Sequence, residues 1–335
     1  MKAFVLNRYG GPDAAGLTNV VPPTPGAGEV LVRIKSAGLN PVDFKTRSGL
    51  IRIIQSYPLP AVMGNELAGV VEAIGPGVTR FAPGDRVYAR TPKHAMGAFA
   101  EFAALPEGLL AKIPDGLDFV TAAGIPLAGL TALQALRDEM HLGPGSRVFI
   151  PGGAGGVGTF AIQIAKWLGA EVITTASPRG HDLVKRLGAD QVIDYTTQAF
   201  TDHVHAVDGV FDLIGGSTLA QAFGVVKRGG IVVSVAALPE PQTARKDLDR
   251  GIGLATLFWF ASIPLRLRAW LNGVRYRFLF MHPSGSELAE LGALIESGAV
   301  QPIIDRVFPF AEIDAAFAYL EAGRAKGKVV VRMED

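Results

Sequence analysis

Residues 147–170, RVFIPGGAGGVGTFAIQIAKWLGA, admit few local structures. Val148, Phe149 and Ile150 are a short apolar run of the kind that forms a strand buried on both faces. Five glycines follow within residues 152–158, and from Thr159 to Leu168 the apolar residues recur at helical spacing. The order is strand, glycine turn, helix. Within the turn, Gly153, Gly155 and Gly158 satisfy G-x-G-x-x-G. The first glycine allows the tight turn, the second lets backbone approach a pyrophosphate, and the third lets the helix pack on the strand. The free N–H groups at the helix start, on Gly156, Val157 and Gly158, then face the phosphates. The motif alone is a weak signal, since many glycine-rich turns carry no ligand. Here residues 171–175 form a second strand directly after the helix, which makes the unit a dinucleotide binder.

At 335 residues the chain exceeds the length at which single cores tend to split, so two domains are expected. The 32 basic and 31 acidic side chains leave a formal charge of +1. No global field holds such a chain on nucleic acid or on an anionic bilayer, and a small neutral or amphipathic partner fits better. Cysteine is absent, which removes disulfides, thiol catalysis and thiolate metal ligands together, and is compatible with a reducing cytosol. The start, MKAFVLNRYGG, lacks the long apolar core of a signal peptide and reads as a first strand, so a cytoplasmic location is expected.

Up to about Pro114, short β-like runs are punctuated by glycine and proline: 29–36, 69–74, 85–89 and 99–104. This reads as a compact, mostly antiparallel region. Residues 119–136 have helical spacing interrupted by Pro126, and the domain boundary is expected near Leu127. Strands at 148–150, 172–175, 191–193, 210–213 and 231–235 alternate with helices as a doubly wound sheet demands, with Gly229 and Gly230 turning into the last. Residues 277–281 are a sixth strand candidate. Beyond it come a helix at 286–297, a strand at 303–308, a helix at 313–322 and a closing strand at 328–332, returning to the first domain. The expected division is 1–126, 127–284 with an apolar excursion at 250–272, and 285–335.

That excursion contains LATLFWFASIPLRLRAWL. Its unbroken apolar core is about a dozen residues before Pro264, Arg266 and Arg268, short of the roughly 18 to 20 that spanning a bilayer requires. A helical segment packing on the protein or on a second subunit is expected, and a substrate-entrance lid or a peripheral membrane contact is the alternative.

With these elements in order, the sequence resembles the medium-chain dehydrogenase/reductase superfamily, in its zinc-free quinone oxidoreductase and alkenal (enone) reductase branch. The carriers are AGLNPVDFKTRSG (37–49), MGNELAGVVEAIGPGV (63–78), FAPGDRVYA (81–89), PLAGLTALQAL (126–136), GGAGGVG (152–158), LGADQVIDY (187–195) and GRAKGKVVV (323–331). The resemblance spans essentially the whole chain. It implies an α/β protein in which a GroES-like twisted β-barrel catalytic domain, built from both chain ends, is joined to a Rossmann doubly wound parallel sheet holding a nicotinamide cofactor. It also implies a homodimer, often paired through the last Rossmann strand.

In zinc-dependent relatives a Cys and a Gly-His-Glu motif supply the catalytic metal, and four clustered cysteines hold a structural zinc. This chain has Gly64-Asn65-Glu66 and no cysteine, and its six histidines are scattered. No metal ligand set is expected, because zinc needs N or S donors converging at close range. Hydride addition to an electron-poor conjugated carbon is then the accessible chemistry, with donors aimed at the substrate carbonyl. The resemblance puts Asn40 beside nicotinamide and substrate, against the plainer reading of an amide capping the turn before Pro41. It puts Lys45 where relatives have a polar, substrate-facing side chain, though a surface lysine reads equally well. Tyr57 is a further acid candidate or a packing aromatic, Asp43 orients the loop, and Thr131 either approaches the nicotinamide or bonds its own helix backbone.

For the cofactor, NADPH is expected. NAD binders of this fold use an Asp or Glu at the end of the second strand, about 20 residues past the glycine loop. This chain has Thr175-Ala176-Ser177 there, with Ser177, Arg179 and Tyr195 as candidates for a 2′-phosphate; Lys328 is another candidate, or simply a strand entry. The leading function is an NADPH-dependent quinone or enone reductase. A metal-free alcohol or aldehyde dehydrogenase and a non-catalytic NADPH-binding protein of the same fold are the alternatives.

Overall fold

The computed structural model describes residues 1–333. The chain forms two compact units. Unit 1 holds Met1–Leu130, Pro283–Gly298 and the chain from Pro302; unit 2 holds Thr131–His282 and Ala299–Gln301.

Unit 1 opens with β1 (Lys2–Leu6), β2 (Ala15–Asn19), β3 (Glu29–Leu39), α1 (Pro41–Ser48), β4 (Ala61–Val62), β5 (Glu66–Ile74), β6 (Arg86–Arg90), β7 (Phe102–Pro106), β8 (Leu110–Lys112) and α2 (Phe119–Ala123). Helix α3 (Pro126–Leu133) leads out of it. Unit 2 runs β9 (Arg147–Ile150), α4 (Gly156–Trp167), β10 (Glu171–Ala176), α5 (Pro178–Arg186), β11 (Gln191–Asp194), β12 (Val207–Asp212), α6 (Gly216–Ala222), β13 (Val226–Ser234), α7 (Ile252–Ala261), α8 (Ile263–Asn272) and β14 (Arg275–Phe278). The chain then re-enters unit 1 as α9 (Gly285–Glu296), β15 (Ile304–Pro309), α10 (Ile313–Glu321) and β16 (Lys328–Arg332).

Strand β3 is the spine of unit 1. It pairs with β5 along one edge, and on the other with β7 over Glu29 to Arg33 and with β16 over Ser36 to Leu39. Its alternation is legible in burial: Val30, Val32 and Ile34 point into the core while Arg33 is exposed. Phe4 and Phe99 close on Phe317 of α10, with ring centroids 5.5 and 5.9 Å apart, so α10 is anchored to β1 by aromatic contact.

In unit 2 the six strands lie parallel in the order β11-β10-β9-β12-β13-β14. The chain winds one way from β9 to β11 and the other way from β12 to β14. The reversal beside β9 is the switch point at whose carboxyl edge such sheets bind ligands.

The interruption expected at Pro126 separates α2 from α3, and Pro126 begins α3, where its missing N–H costs nothing. Two expectations need correction. Gly229 and Gly230 do not turn into a strand but lie within β13, whose pairing with β12 jumps from Val207↔Val226 to Gly209↔Ile231. Gly229 takes φ +84°, and a Cβ on Gly230 would meet Asp208 O at 2.5 Å, so the extra residues are housed as a bulge. The strand expected at 99–104 forms at Phe102–Pro106 instead, and Ala100 makes only an isolated bridge to Ala3.

The apolar excursion is helical, as α7 and α8, bent by 65°. No single helix among the described residues is long and apolar enough to cross a membrane. It packs one side only: Ala255, Phe258 and Ala269 are buried, but Trp270 is 75 % and Phe260 61 % exposed.

Candidate functional site

In unit 2 the glycine turn is tied to the end of β10. Thr174 Oγ1 donates to Ile150 O at 2.6 Å, and the N–H groups of Gly152 and Gly153 donate to Thr175 Oγ1 and O at 3.0 and 3.2 Å. A Cβ on Gly153 would meet Thr174 Oγ1 at 2.1 Å, and one on Gly158 would meet Gly152 O at 2.5 Å. These two glycines are needed by the protein itself. Gly155 is not: its backbone is extended, and an added Cβ would meet only Gly152 O, at 3.4 Å. Its missing side chain leaves backbone bare where α4 begins, which is what close approach by a phosphate demands. The first helical hydrogen bond runs from Thr159 N to Gly155 O, so the N–H groups of Gly156, Val157 and Gly158 precede the intrahelical ladder.

Beyond β10, Ser177 is the N-cap residue of α5, and Arg179 is exposed in its first turn with no acceptor among the described residues. Tyr195, directly after β11, is 58 % exposed. Glu171 is at the far end of β10, paired with Arg147 at 2.9 Å. Asp194, which no local motif singled out, lies opposite Ala176 at the end of β11. Its carboxylate accepts from Thr196 Oγ1 at 2.7 Å and Thr196 N at 3.0 Å, and these bonds hold its pKa below the usual range. Thr131 is buried inside α3.

In unit 1 a buried polar network centres on Glu66, which is fully excluded from solvent at the start of β5. Glu66 Oε1 accepts from Lys328 Nζ and from Asn40 Nδ2, both at 2.7 Å, and Oε2 accepts from Leu127 N at 2.6 Å. Lys328 also donates to Leu39 O at 3.1 Å and to Asn40 Oδ1. Asn40 is thus held at both ends of its amide, oxygen toward the ammonium and nitrogen toward the carboxylate, which fixes its orientation. Gly38 makes room for this: a Cβ there would meet Glu66 Oε1 at 2.3 Å.

Asp43, in the first turn of α1, extends the network. Its Oδ2 accepts from Asn40 N at 2.7 Å and its Oδ1 from Asn65 Nδ2 at 2.6 Å. Burial pushes its carboxyl up to about 7, with the Glu66 charge adding to the shift, while the bonds from Asn65 and Asn40 and the Lys328 charge oppose it. Asn65 Oδ1 is buried with no hydrogen-bond partner.

The predicted acid candidates fare differently. Tyr57 is buried, its hydroxyl donates to Lys93 O at 3.3 Å, and burial raises its pKa. Lys45 is half-buried in the last turn of α1, two residues from Asp43 and so on another side of the helix. Arg90 was not anticipated: it is 3 % exposed, donates to Thr91 O, and keeps a buried Nε with no partner. Lys328, expected as a candidate for a 2′-phosphate, has its ammonium committed to Leu39, Asn40 and Glu66 instead. Its place in the sheet explains why: Lys328 opens β16 one residue before Val329, the partner of Leu39, and its side chain is buried.

A divalent metal does not fit here. The one carboxylate of the Gly64-Asn65-Glu66 motif already meets an ammonium at 2.7 Å, and among the described residues no three of His, Cys, Asp and Glu converge.

Family profiles match two stretches, one described as an alcohol dehydrogenase GroES-like domain over residues 26–115 and one as a zinc-binding dehydrogenase over residues 187–331. The chain is 38 % identical over 343 residues to the chloroplastic NADPH-dependent alkenal/one oxidoreductase of Arabidopsis thaliana, covering 99 % of this chain and 79 % of that one. It is 35 % identical to a quinone oxidoreductase of Pseudomonas aeruginosa, covering 98 % and 99 %. The quinone oxidoreductase structure from Coxiella burnetii superposes with a TM-score of 0.87 at 31 % identity, covering 100 % and 99 %. With a GroES-like domain, a Rossmann-type sheet and these relatives, the chain belongs to the medium-chain dehydrogenase/reductase family, among its quinone oxidoreductases and alkenal reductases that lack the zinc ligand set.

Proposed function

We propose that the protein is an NADPH-dependent reductase that delivers hydride directly to a quinone or to the β-carbon of an α,β-unsaturated carbonyl. The observation that carries this reading is the Glu66–Lys328–Asn40 network, which puts a fixed, neutralised hydrogen-bond frame where zinc-dependent relatives need an electrophilic metal. When bound, the nicotinamide supplies the hydride. The chain's own task is to orient it and to stabilise the charge that develops on the substrate oxygen. In this reading Gly153, Gly155, Gly156, Val157 and Gly158 cradle the pyrophosphate, and Thr131 approaches the nicotinamide. Ser177, Arg179 and Tyr195 take the 2′-phosphate. Asn40 orients the reacting pair, held by Lys328 and Glu66. Lys45 and Tyr57 are the donors toward the substrate oxygen; Tyr57, with its raised pKa, acts as a hydrogen-bond donor rather than as a source of free protons. The proton that completes C=C reduction comes from solvent or from Asp43, whose carboxyl is poised near neutrality.

The NADPH dependence of the Arabidopsis relative supports the cofactor. The absence of cysteine fits a reducing compartment, for which we take the cytoplasm, and β14 as a sheet edge fits pairing with a second copy in a homodimer. The test is a product-resolved screen of a benzoquinone, a linear 2-alkenal, a cyclic enone and a primary alcohol with NADPH, NADH and their oxidised forms. NADPH-driven reduction of the quinone or the conjugated double bond is expected. Alcohol oxidation as the dominant activity would refute it, and tight NADPH binding without turnover of any of the four would assign a non-catalytic role.

A further inference from the structure

We propose that the α7–α8 hairpin docks the protein on an anionic lipid surface, lying in the plane of the interface rather than crossing it. This stands independently of the reductase reading. Both helices are apolar on the side that packs and on the side that does not. Ala255, Phe258 and Ala269 face the protein. Outward, α8 exposes Ile263, Leu267, Trp270 and Leu271, the i, i+4, i+7 and i+8 positions of one stripe, where an ordinary surface helix would carry polar side chains. On α7, Leu257, Trp259 and Phe260 are exposed as well, and the last two pack edge to face at 5.0 Å.

Charge identifies what covers this face. Between Arg250 and Ser286 the sequence has no Asp or Glu, while Arg250, Arg266, Arg268 and Arg275 all reach solvent at least in part. By helical spacing Arg266 and Arg268 flank the apolar stripe of α8 on its two sides, and Arg266 lies 5.3 Å from the Trp259 ring centroid. The chain as a whole is nearly neutral, so this cationic density is local. Trp, Phe and Leu on one face with arginines along its margins is the pattern that settles at the boundary between headgroups and acyl chains and is drawn there by anionic lipid. A second copy of the chain suits the face less well. An isologous pair sets the same patch against itself, bringing the arginines of both copies into one interface with no acid in the segment to answer them. Each helix has ten residues, about 15 Å of rise, against a hydrocarbon core of about 30 Å, so neither crosses alone; the bent pair has one side packed on the protein through Ala255, Phe258 and Ala269 and carries Arg266 and Arg268 in its second half, which suits the interface rather than the bilayer centre.

The test is cosedimentation of the full chain with vesicles of phosphatidylglycerol and phosphatidylcholine in equal parts, and of phosphatidylcholine alone, at low and high salt. Binding to the anionic vesicles, weakened by salt, is expected, with tryptophan emission quenched by acyl-brominated lipid. The double substitution Phe260→Ser/Trp270→Ser is expected to lower partitioning at least about a hundredfold, and Arg266→Glu/Arg268→Glu about tenfold or more. None of these four side chains is buried, so far-UV circular dichroism and the thermal midpoint of both variants should match wild type. The proposal fails if wild type ignores the anionic vesicles, or if Phe260→Ser/Trp270→Ser binds them undiminished. It also fails if light scattering shows that the serine substitutions dissociate an oligomer of a wild-type protein that does not bind vesicles, which would give the face to a second copy.

Discussion

Replacing Asp43 with Asn should remove a pH dependence built into unit 1. Asp43 is fully buried and its carboxyl is pushed from 3.8 up to about 7, with burial as the main cause. Between these values the native state holds a proton that the unfolded chain has released, so the native state binds more protons. Stability from this group is therefore complete below the unfolded pKa and is lost as pH rises through the folded one. At about 1.4 kcal/mol per unit, the full displacement is worth about 4 kcal/mol between roughly pH 4 and pH 8. Asn has the shape of the protonated acid. Its oxygen can keep the bond from Asn40 N, and its amide nitrogen would face Asn65, whose Oδ1 is buried without a partner and can turn to accept. Urea unfolding by far-UV circular dichroism, across a pH series from about 4 to 8, measures the effect. Asp43→Asn should match wild type near pH 4 and exceed it by about 2 to 4 kcal/mol near pH 8, with a correspondingly flatter profile. Parallel pH profiles for the two proteins, or a variant weaker than wild type at every pH, would show that Asp43 is not the buried, half-protonated group described here.

Lys328→Met leaves the Glu66 carboxylate buried opposite Asn40 without its cation and should cost about 3 to 5 kcal/mol in denaturant unfolding, part of it recovered in Lys328→Met/Glu66→Gln. No recovery in the double variant would mean that Lys328 matters for packing alone. The two turn glycines should separate: Gly155→Ala should keep the wild-type thermal midpoint yet weaken NADPH at least about tenfold in a fluorescence titration, whereas Gly158→Ala should destabilise the fold itself, because its Cβ meets backbone at 2.5 Å. Arg179→Ala should weaken NADPH by roughly ten- to a hundredfold and leave NADH nearly unchanged; equal loss of both removes Arg179 from the 2′-phosphate site. Prolonged chelation should leave turnover intact, and activity that returns only on adding zinc would overturn the mechanism.

The glycine turn and the doubly wound sheet were legible in the sequence because their signals are local. A buried parallel strand is a continuous apolar run, its helix has a period of 3.6, and the glycines between them are demanded by backbone geometry within a dozen residues. The lack of thiolate ligands was legible for a similar reason, since a chain without cysteine cannot present thiolates whatever its fold. Less was legible where the deciding neighbour is distant. Gly229 and Gly230 read as a turn because nothing nearby announces that β12 and β13 slip past one another.

How the buried polar network of unit 1 is put together was decided by tertiary structure. Asn40, Asp43, Glu66, Leu127 and Lys328 are separated by up to 288 positions, and only the pairing of β16 with β3 brings the ammonium to Glu66 and the Asn40 amide. As a sequence, GKVVV gives no sign that its lysine points inward, because a lysine costs nothing in water and is stable in a core only beside a carboxylate that the strand itself does not contain. Sequence likewise revealed the apolar character of residues 252–271, since hydropathy is local. Which of those side chains the protein would cover, and which it would leave to another surface, depended on the 65° bend and the one face that packs.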